Sequence, residues 1–488
     1  MELVVIIFSC VFFYLLTSLI YNLYFHPLSH FPGPLLWRAF QFPSLAAMLA
    51  GNLPYKVQSL HEKYGPIVRV APNELSIVDD RAWKEIFQRR DFLRPPQWGA
   101  RPPGVNAHNL VSAPADIHAR FRKALSPAFS EQSIASYEPL IREYFDVLIA
   151  KLAKTAPDTF DMVAWFNYTT FDIIGDLCWG ESFNCLASGQ GHAFISVLLH
   201  FKAATIATAI KYYPAIDALI PYITPKSALT MLHNVFDTGH QSIQRRIQDE
   251  AKSDQSDILG HVLRYNKNNP VSLQMSQEEI EFNALTMIIG GSETLTTALC
   301  GALYQLVSHP SSYQALVTEI RSTFQSEKQI SGATVKPLPY LNAVINETLR
   351  LCPPFPDLMR RAVPKGGATV AGHHFTEGTV LGVACWPMFQ SSKHFSDPGK
   401  FAPERWLHDA GDENLSHNGN AFYPFALGPH GCIGQSLALL EMRLLLALLF
   451  FHFDFDSPRG GFDWDWNEQK IYWTWEKKPL SINVRKRL

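Results

Sequence analysis

The chain has 488 residues, of which 47% are hydrophobic and 18% are charged. Its 42 Lys and Arg residues nearly cancel its 44 Asp and Glu residues, leaving a net charge of −2, which excludes a basic nucleic-acid-binding surface and an acidic disordered chain. Seven cysteines are too few for a disulfide scaffold. The sequence therefore predicts a large apolar core, with apolar surface left over for a membrane or an apolar ligand.

The first segment predicts a membrane anchor. Residues 3–25 carry no formal charge, and as a helix they are long enough to cross about 30 Å of hydrocarbon. Tyr21, Tyr24 and Phe25 close the segment, which favours an interfacial aromatic belt over the small-residue cleavage site of a signal peptide. A buried core helix is the remaining alternative. We predict that residues 1–25 form a single transmembrane helix.

A proline-rich connector follows the anchor. Pro27, Pro32 and Pro34, with Gly33, cannot continue a helix. Residues 26–36 are thus predicted to form a short stiff connector, although a plain loop would have the same composition.

The remainder, residues 37–488, has no repeat, low-complexity tract or linker that would divide it. Helical periodicity dominates residues 115–351, and short β-strand signals lie near residues 67–78, 370–383 and 471–484. The aromatic alternation of residues 472–476 suits a single strand. These patterns predict a fold that is mainly α with small β-sheets (α+β), built as a single large domain.

One predicted helix is unusually long. Ser276 and Glu279 form a possible capping box, and Pro310 stops the apolar run that follows. At about 1.5 Å per residue such a helix spans roughly 50 Å and must cross the domain. Gly290 and Gly291 lie at its centre, where they would allow a kink or the close approach of a flat ligand. A glycine-softened core helix explains the same pattern equally well.

Ser292, Glu293 and Thr294 follow these glycines. An acid and two hydroxyls in the most apolar helix of the chain require polar partners, because an unpaired polar group is costly to bury. The residues are therefore candidates for chemistry inside the domain.

A glycine-rich loop near the C-terminus contains a single cysteine. Cys432 directly precedes a strongly apolar helix, and the helix dipole and free amides would stabilise its thiolate there. His430 is too close in sequence to complete a tetrahedral zinc site easily. One thiolate ligand in an apolar setting suits a haem, whose porphyrin supplies four donors. Taken alone, a buried structural cysteine is the more common explanation.

A charged helix lies about 80 residues before this loop. Glu347 and Arg350 share one helix face through their i,i+3 spacing, and Arg405 follows in a PERW segment between the two motifs. A carboxylate with two guanidinium groups can stay ionised when buried. An isolated E-x-x-R pair is usually a solvated surface pair.

Together, in this order and spacing, these features resemble the cytochrome P450 family of haem-thiolate monooxygenases over essentially the whole chain. The connector sequence YFHPLSHFPGP resembles fungal members of secondary metabolism. The resemblance implies haem b as cofactor, with Cys432 as its axial ligand. It also implies turning and packing roles for Gly428, Gly431, Gly434 and Phe425, and a structural role for Glu347, Arg350 and Arg405.

The resemblance assigns Glu293 and Thr294 to the acid–alcohol pair that delivers protons above the haem. Leu295 departs from the second hydroxyl that the family often has. For the haem propionates, the resemblance implies Arg122 together with His118, which takes a position usually held by Trp. Arg361, with Arg360 as its rival, and His430, where the family usually has Arg, complete the predicted cofactor-binding set. A histidine there would carry a pH-dependent charge.

The function implied is insertion of one oxygen atom from O2 into a hydrophobic small molecule, a fungal secondary metabolite of terpenoid or polyketide type. Electrons would come from NADPH through a membrane-bound NADPH–cytochrome P450 reductase. A haem-thiolate isomerase or dehydratase that needs no reductase is the alternative enzyme, and a membrane-anchored lipid- or haem-binding protein is the non-enzymatic one.

The first positive charge after the anchor, Arg38, favours a cytosolic catalytic domain, and the resemblance implies the endoplasmic reticulum membrane. The substrate pocket is predicted to draw on five apolar stretches: residues 93–110, 194–216, 282–289, 355–359 and 472–475.

Overall fold

The computed structural model describes residues 2–98, 101, 105–192, 201–218, 226–248, 257–407 and 416–487. Helices dominate this part of the chain, as predicted. In chain order they are α1 (Glu2–Ile20), α2 (Leu35–Ala39), α3 (Phe42–Leu49), α4 (Leu53–Tyr64), α5 (Arg81–Phe87), α6 (Ala115–Leu125), α7 (Glu131–Thr155), α8 (Met162–Trp179), α9 (Cys185–Ser188), α10 (Phe201–Ile210), α11 (Pro214–Asp217), α12 (Lys226–Gln248), α13 (Ile258–Lys267), α14 (Gln277–Ser308), α15 (Pro310–Thr323), α16 (Gly332–Val335), α17 (Pro339–Leu351), α18 (Cys385–Phe389) and α19 (Gln435–His452).

Short strands form four small sheets within the described residues. The strands are β1 (Ile67–Ala71), β2 (Glu74–Ile77), β3 (Asp158–Asp161), β4 (Leu358–Ala362), β5 (Ala368–Val370), β6 (His373–Phe375), β7 (Val380–Ala384), β8 (Phe453–Asp456), β9 (Lys470–Tyr472), β10 (Thr474–Glu476) and β11 (Ser481–Lys486). The largest sheet has the order β1-β2-β7-β4, with β2 and β7 parallel and the other pairs antiparallel. A three-stranded sheet has the order β3-β11-β8, and β5–β6 and β9–β10 are antiparallel pairs. The α+β prediction is confirmed.

The single strand predicted for residues 472–476 is wrong. The chain reverses at Trp473, which has a left-handed φ of 68°, and Tyr472 pairs with Thr474 across the turn. Left-handed backbone is rare for a bulky residue, so aromatic alternation gave no sign of this turn. The Trp475 indole donates a hydrogen bond to the Pro353 carbonyl at 2.7 Å, which holds the outgoing strand on the core.

The long helix α14 has the predicted ends. Ser276 and Glu279 form a capping box at its start, and the cap at its C-terminus is His309, directly before Pro310. The helix spans 32 residues, or about 48 Å, and packs closely on α8. A Cβ on Gly291 would lie 2.9 Å from Ile174 Cγ1, so this glycine brings the two helices together.

Apolar side chains are exposed along much of the described part of the N-terminal helix α1 and of the short π-helix Tyr21–Phe25 that continues it. Phe12, Tyr14 and Tyr24 are 61%, 72% and 73% exposed. Among the described residues, α19 is the helix that is long and apolar enough to cross a membrane, and it is mostly buried in the core. The apolar stretch Phe12–Phe25 is shorter. The transmembrane prediction for residues 1–25 therefore stays a prediction.

The proline-rich connector packs on the body. Leu28 and Phe31 are buried, and the Arg69 amide donates to the Pro32 carbonyl at 2.8 Å. The buried Arg69 guanidinium also donates to the carbonyls of Asn22 at 2.7 Å and Leu28 at 3.3 Å. These bonds fix the end of the N-terminal helical segment on the first sheet.

Candidate active site

The cysteine loop forms a tight turn ahead of α19. The Cys432 amide donates to the Phe425 carbonyl at 2.8 Å, and the Gly431 amide donates to the Gly428 carbonyl at 3.0 Å. Gly434 then occupies the N-cap position of α19. Cys432 therefore lies at the head of a buried helix, as the sequence predicts.

Of the three loop glycines, Gly428 is the one whose backbone demands glycine. Its φ is 67°, and a Cβ there would collide with the Phe87 carbonyl at the end of α5. Gly431 and Gly434 have φ values of −60° and −88°, which other residues adopt readily. The turning role predicted for all three glycines thus falls on Gly428.

Cys432 is exposed. The five cysteines from Cys178 to Cys385 are all buried. Protein nevertheless surrounds the residue closely enough for burial to raise the pKa of its thiol, while the Gly434 amide and the Arg122 charge act in the opposite direction. The sulfur is thus accessible even though protein surrounds the residue. That is the environment required of a single thiolate ligand beneath a flat cofactor.

Helix α14 contributes an open face in the middle of the core. Gly290 is exposed there, and nothing lies within 4 Å of where its Cβ would stand. Thr294, one turn later, is half-buried, and its Oγ1 donates to the Gly290 carbonyl. The face that carries Gly290 and Thr294 is thus the face of α14 with room beside it for a ligand.

Glu293 does not share that face. Its side chain is 4% exposed and forms an ion pair with Lys477, just beyond β10. Lys477 also donates to Thr297 Oγ1 at 3.3 Å. Consecutive helix residues diverge by about 100°, and the structure therefore separates the acid and the alcohol that the sequence predicts as an adjacent pair above a haem.

A group of arginine and histidine side chains, named the positive cluster for its arginines, lies beside the cysteine loop. The rings of His118 and His430 are 4.0 Å apart, and Arg122 donates to the Gly431 carbonyl at 3.0 Å. Arg361 stacks on the Phe87 ring at 4.9 Å. The structure thus brings together the four residues predicted to bind the propionates.

Arg94 belongs to the same cluster and was missed from the sequence. It donates to the carbonyls of Leu110 and Val111. Its charge also acts on His118, Arg361 and His430. No local motif marks this residue, because its partners come from distant segments of the chain.

The cluster lacks a counter-ion among the described residues. Burial, followed by repulsion from neighbouring positive groups, lowers the pKa of Arg361 to about 9, His118 to about 4 and His430 to about 3. Burial also lowers the pKa of Arg94 to about 10. His430 Nδ1 is buried without a hydrogen-bond partner. Buried cations without an acid call for an anionic ligand, and the two propionates of a haem fit this site.

Arg360 points the other way. It forms an ion pair with Glu74 at 2.6 Å and stacks on Trp98 at 4.3 Å. Neighbouring side chains of a strand project to opposite faces of the sheet. The structure therefore decides between the two adjacent arginines of β4 in favour of Arg361 as the residue of the positive cluster.

The E-x-x-R motif forms a buried charge cluster. Glu347 Oε1 accepts from Arg350 Nη2 at 2.8 Å and from Arg405 Nε at 3.0 Å. Its Oε2 accepts from Arg350 Nε and from the Trp406 indole, both at 2.9 Å. The three charged side chains are completely buried. Both carboxylate oxygens are satisfied, so the cluster ties α17 to the segment that leads to the cysteine loop.

The predicted pocket stretches are described in part. Residues 99–100, 102–104 and 194–200 lie outside the described residues. Within the described part, Asn109 donates to Thr286 Oγ1 at 2.7 Å, and the Leu110 amide donates to Asn283 Oδ1 at 2.8 Å. These bonds hold the segment before α6 against α14.

Comparison with known proteins agrees with this geometry. The chain belongs to the cytochrome P450 family, whose model matches residues 27–484. It is 35% identical to the cytochrome P450 monooxygenase atr2 of Stereocaulon alpinum, over 96% of this chain and 93% of that protein. It is also 35% identical to the trichothecene C-15 hydroxylase of Fusarium sporotrichioides, over 96% of this chain and 95% of that protein. The averantin hydroxylase of Dothistroma septosporum is 34% identical, with 97% and 89% covered.

The chain is thus a cytochrome P450 monooxygenase by family, and its relatives are fungal enzymes of secondary metabolism. The resemblance given by its motifs is confirmed. The family implies haem iron and the use of O2, in agreement with the positive cluster and the accessible thiol.

Proposed function

We propose that this protein is a membrane-anchored monooxygenase that inserts one oxygen atom from O2 into a hydrophobic secondary metabolite of terpenoid or polyketide type. Electrons come from NADPH through a membrane-bound NADPH–cytochrome P450 reductase. The proposal rests mainly on one observation: an accessible cysteine at the head of α19 lies beside a cluster of arginines for which the described residues supply no acid.

The roles of the residues follow from their positions. Haem b, when bound, would supply the oxygen-activating chemistry, and the Cys432 thiolate would hold its iron. Arg94, Arg122, Arg361 and His118 hold the propionates with His430, which acts as a neutral hydrogen-bond donor because burial depresses its pKa. Phe425, Gly428 and Gly434 shape the loop around the ligand. Glu347, Arg350 and Arg405 keep the surrounding core in place.

Thr294 passes protons in this proposal. Its hydroxyl faces the open side of α14, and it can switch its hydrogen bond from the Gly290 carbonyl to a water or a ligand. Glu293 supplies the proton reservoir from the buried side of the same helix.

The membrane part of the proposal rests on exposed apolar surface. Val5, Phe12, Phe13, Tyr14 and Tyr24 are among the exposed apolar side chains of this segment, and a bilayer would cover them. We assign residues 1–25 to the anchor, 26–36 to the connector and 37–488 to the catalytic domain. The catalytic domain faces the cytosol from the endoplasmic reticulum membrane.

The test is a substrate search in two stages. Purified full-length holoenzyme is first screened, by spin-state shifts in its absorption spectrum, against a panel of apolar terpenoids and polyketides. Compounds that bind are then incubated with NADPH, reductase and isotopically labelled O2. One labelled oxygen atom per product supports the proposal. Reductase-independent rearrangement of a hydroperoxide with no incorporation from O2 would identify the protein as an isomerase or dehydratase instead.

A further inference from the structure

The buried ion pair between Glu293 and Lys477 joins the long helix α14 to the segment directly after β10. Lys477 follows β10, the outgoing strand of a hairpin whose turn residue Trp473 packs on Trp98 with ring centroids 5.5 Å apart. Trp98 and Trp473 both belong to the stretches predicted to line the substrate pocket. The hairpin therefore reaches the predicted pocket at Trp473 and, four residues later, contacts Glu293 of α14 through Lys477.

The pair differs from the structural charge cluster around Glu347. There, both carboxylate oxygens accept several donors from side chains and backbone. Glu293 contacts Lys477 through Oε1, and among the described residues no donor reaches its Oε2. A carboxylate held through one oxygen keeps an acceptor site for water or a proton.

Stability alone gives little reason to retain such a pair. An ion pair buried in an apolar core often stabilises a fold no more than apolar residues of the same volume would. Lys477 also donates to Thr297 Oγ1, one turn from Glu293, and the Thr297 hydroxyl donates in turn to the Glu293 carbonyl at 2.9 Å. The ammonium group is therefore fixed by two adjacent turns of α14.

We propose that Lys477 is a positioning residue for proton delivery: it holds the Glu293 carboxyl group in place on the buried side of α14 and keeps its proton affinity within the range that the reaction uses. This inference rests on the role of Glu293 under the proposed function. Proton transfer is most efficient when the acid titrates near the working pH.

The electrostatics of the site agree with this role. Burial raises the pKa of Glu293, and the Lys477 ammonium opposes that rise. Among the described residues, the Cys300 thiol on the same helix also interacts with this pair, and Asp161, the N-cap of α8, and Cys352 act on Cys300 in turn. Among the described residues, Lys477 is the charged group that acts directly on the Glu293 carboxyl.

The first test measures the titration of Glu293 without substrate. Infrared difference spectra of the full-length holoenzyme against the Glu293→Gln variant isolate the protonated carboxyl band of Glu293, followed as a function of pH. In Lys477→Met the pH at which this band disappears should move upward by about one unit or more, which is a tenfold or greater rise in proton affinity. Lys477→Arg should stay near the wild type.

Lys478→Met is the matched control. Lys478 is the next residue, has a 42% exposed side chain and pairs with Glu468 at 3.3 Å on the surface. This variant loses the same charge and should leave the titration unchanged. An unmoved midpoint in Lys477→Met, or an equal movement in Lys478→Met, would overturn the inference.

The second test measures coupling, the fraction of NADPH electrons that appear in product rather than in hydrogen peroxide. It uses a compound that the wild type oxidises. Coupling in Lys477→Met should fall about tenfold at neutral pH and recover as the pH is raised, because a higher pH restores the ionised carboxyl. A loss independent of pH would indicate a merely structural role. If the wild type itself forms no product, the proposed function fails, while the infrared test still decides the role of Lys477.

Discussion

At the scale of single residues, the site is defined by charges that lack partners. Arg94, Arg361 and Arg122 are enclosed by protein, and no carboxylate pairs with them in the described part of the chain. Burying a cation without a partner costs free energy, so these arginines require an anionic ligand that the described residues do not supply. This makes cofactor retention the property most sensitive to these residues.

Arg94→Met and Arg361→Met should each speed haem loss by about tenfold or more, since a hydrogen bond to a charged group contributes about 1.5–3 kcal/mol. Haem transfer from the full-length protein to an excess of apomyoglobin measures the rate. Arg89→Met is the control, because Arg89 is exposed and pairs with Asp91 at 2.6 Å on the surface. Equal rates of haem loss in all three variants would show that neither Arg94 nor Arg361 holds the haem.

The sequence predicts residues whose role lies in a local motif. Cys432 and the Glu347–Arg350 pair are set by spacings of a few positions, and the structure places them as expected. Arg94 and Lys477 cannot be recognised from the sequence, because their partners lie in other segments of the chain: Arg94 acts on His118, Arg361 and His430, and Lys477 pairs with Glu293. The choice between Arg360 and Arg361 required the side-chain direction along β4, which a sequence with two consecutive arginines leaves open.

At the scale of elements, the neighbouring glycines of α14 have opposite surroundings. A Cβ on Gly290 would meet nothing within 4 Å, whereas a Cβ on Gly291 would press against Ile174 of α8. The same substitution should therefore change stability in opposite directions at two consecutive positions.

Gly290→Ala should raise the free energy of unfolding by up to about 1 kcal/mol through helix propensity, while narrowing the ligand cavity. Gly291→Ala should lower it by about 1–3 kcal/mol, because α8 and α14 must move apart. Urea unfolding of both variants and the wild type measures the difference. Equal destabilisation by the two substitutions would show that Gly290 does not face open space.

The charge cluster on α17 has a characteristic pH dependence. Burial acts to raise the pKa of Glu347, but Arg350 and Arg405 outweigh it and hold the pKa below the usual 4.5. A carboxyl with a depressed pKa contributes stability above its unfolded pKa, and this contribution is lost as the pH falls through the folded pKa.

Glu347→Gln should lower the free energy of unfolding by about 3–5 kcal/mol at neutral pH, since it leaves two buried guanidinium groups without their acid. The difference from wild type should shrink as the pH falls below the usual carboxyl pKa. Urea unfolding at a series of pH values tests this. A difference that stays constant down to strongly acidic pH would mean that the Glu347 charge is not what holds the cluster.

The extent of the elements could be predicted where end signals are local. The capping box at Ser276 and the proline at position 310 fixed both ends of α14 within a residue. The hairpin β9–β10 could not be predicted, because Trp473 turns in a backbone conformation that its residue type disfavours and that packing on Trp98 supports. Local patterns thus identify regular elements, and tertiary contacts decide the exceptions.

At the scale of the whole molecule, two arginines hold the end of the N-terminal helical segment on the domain. Arg69 donates to the Asn22 and Leu28 carbonyls, and Arg38 donates to the Ser29 carbonyl at 2.7 Å. With α1 in a bilayer, as proposed, these bonds would give the catalytic domain a defined orientation toward the membrane, which a flexible linker would not. Composition alone predicted an anchor and a stiff connector, but the gripping arginines lie outside both segments.

Deletion of residues 2–20 should release the protein from microsomal membranes into the soluble fraction, whereas replacement of the same residues by a leucine run of equal length should keep it bound. The physical reason is that apolar burial in the bilayer depends on length and hydrophobicity rather than on sequence. Ultracentrifugation with immunoblotting measures the partition. Continued membrane binding of the deletion variant would show that another surface of the protein attaches it to the membrane.

The central claim is that Cys432 supplies a thiolate ligand to a haem held by the positive cluster. The most direct measurement is the absorption spectrum of the reduced carbon monoxide complex of the full-length wild type and of Cys432→Ser, with Cys385→Ser as a control for a buried cysteine outside the site. The wild type and the control should give the thiolate-type spectrum, and Cys432→Ser should lose it together with NADPH-dependent activity. A thiolate-type spectrum that persists in Cys432→Ser would contradict the account.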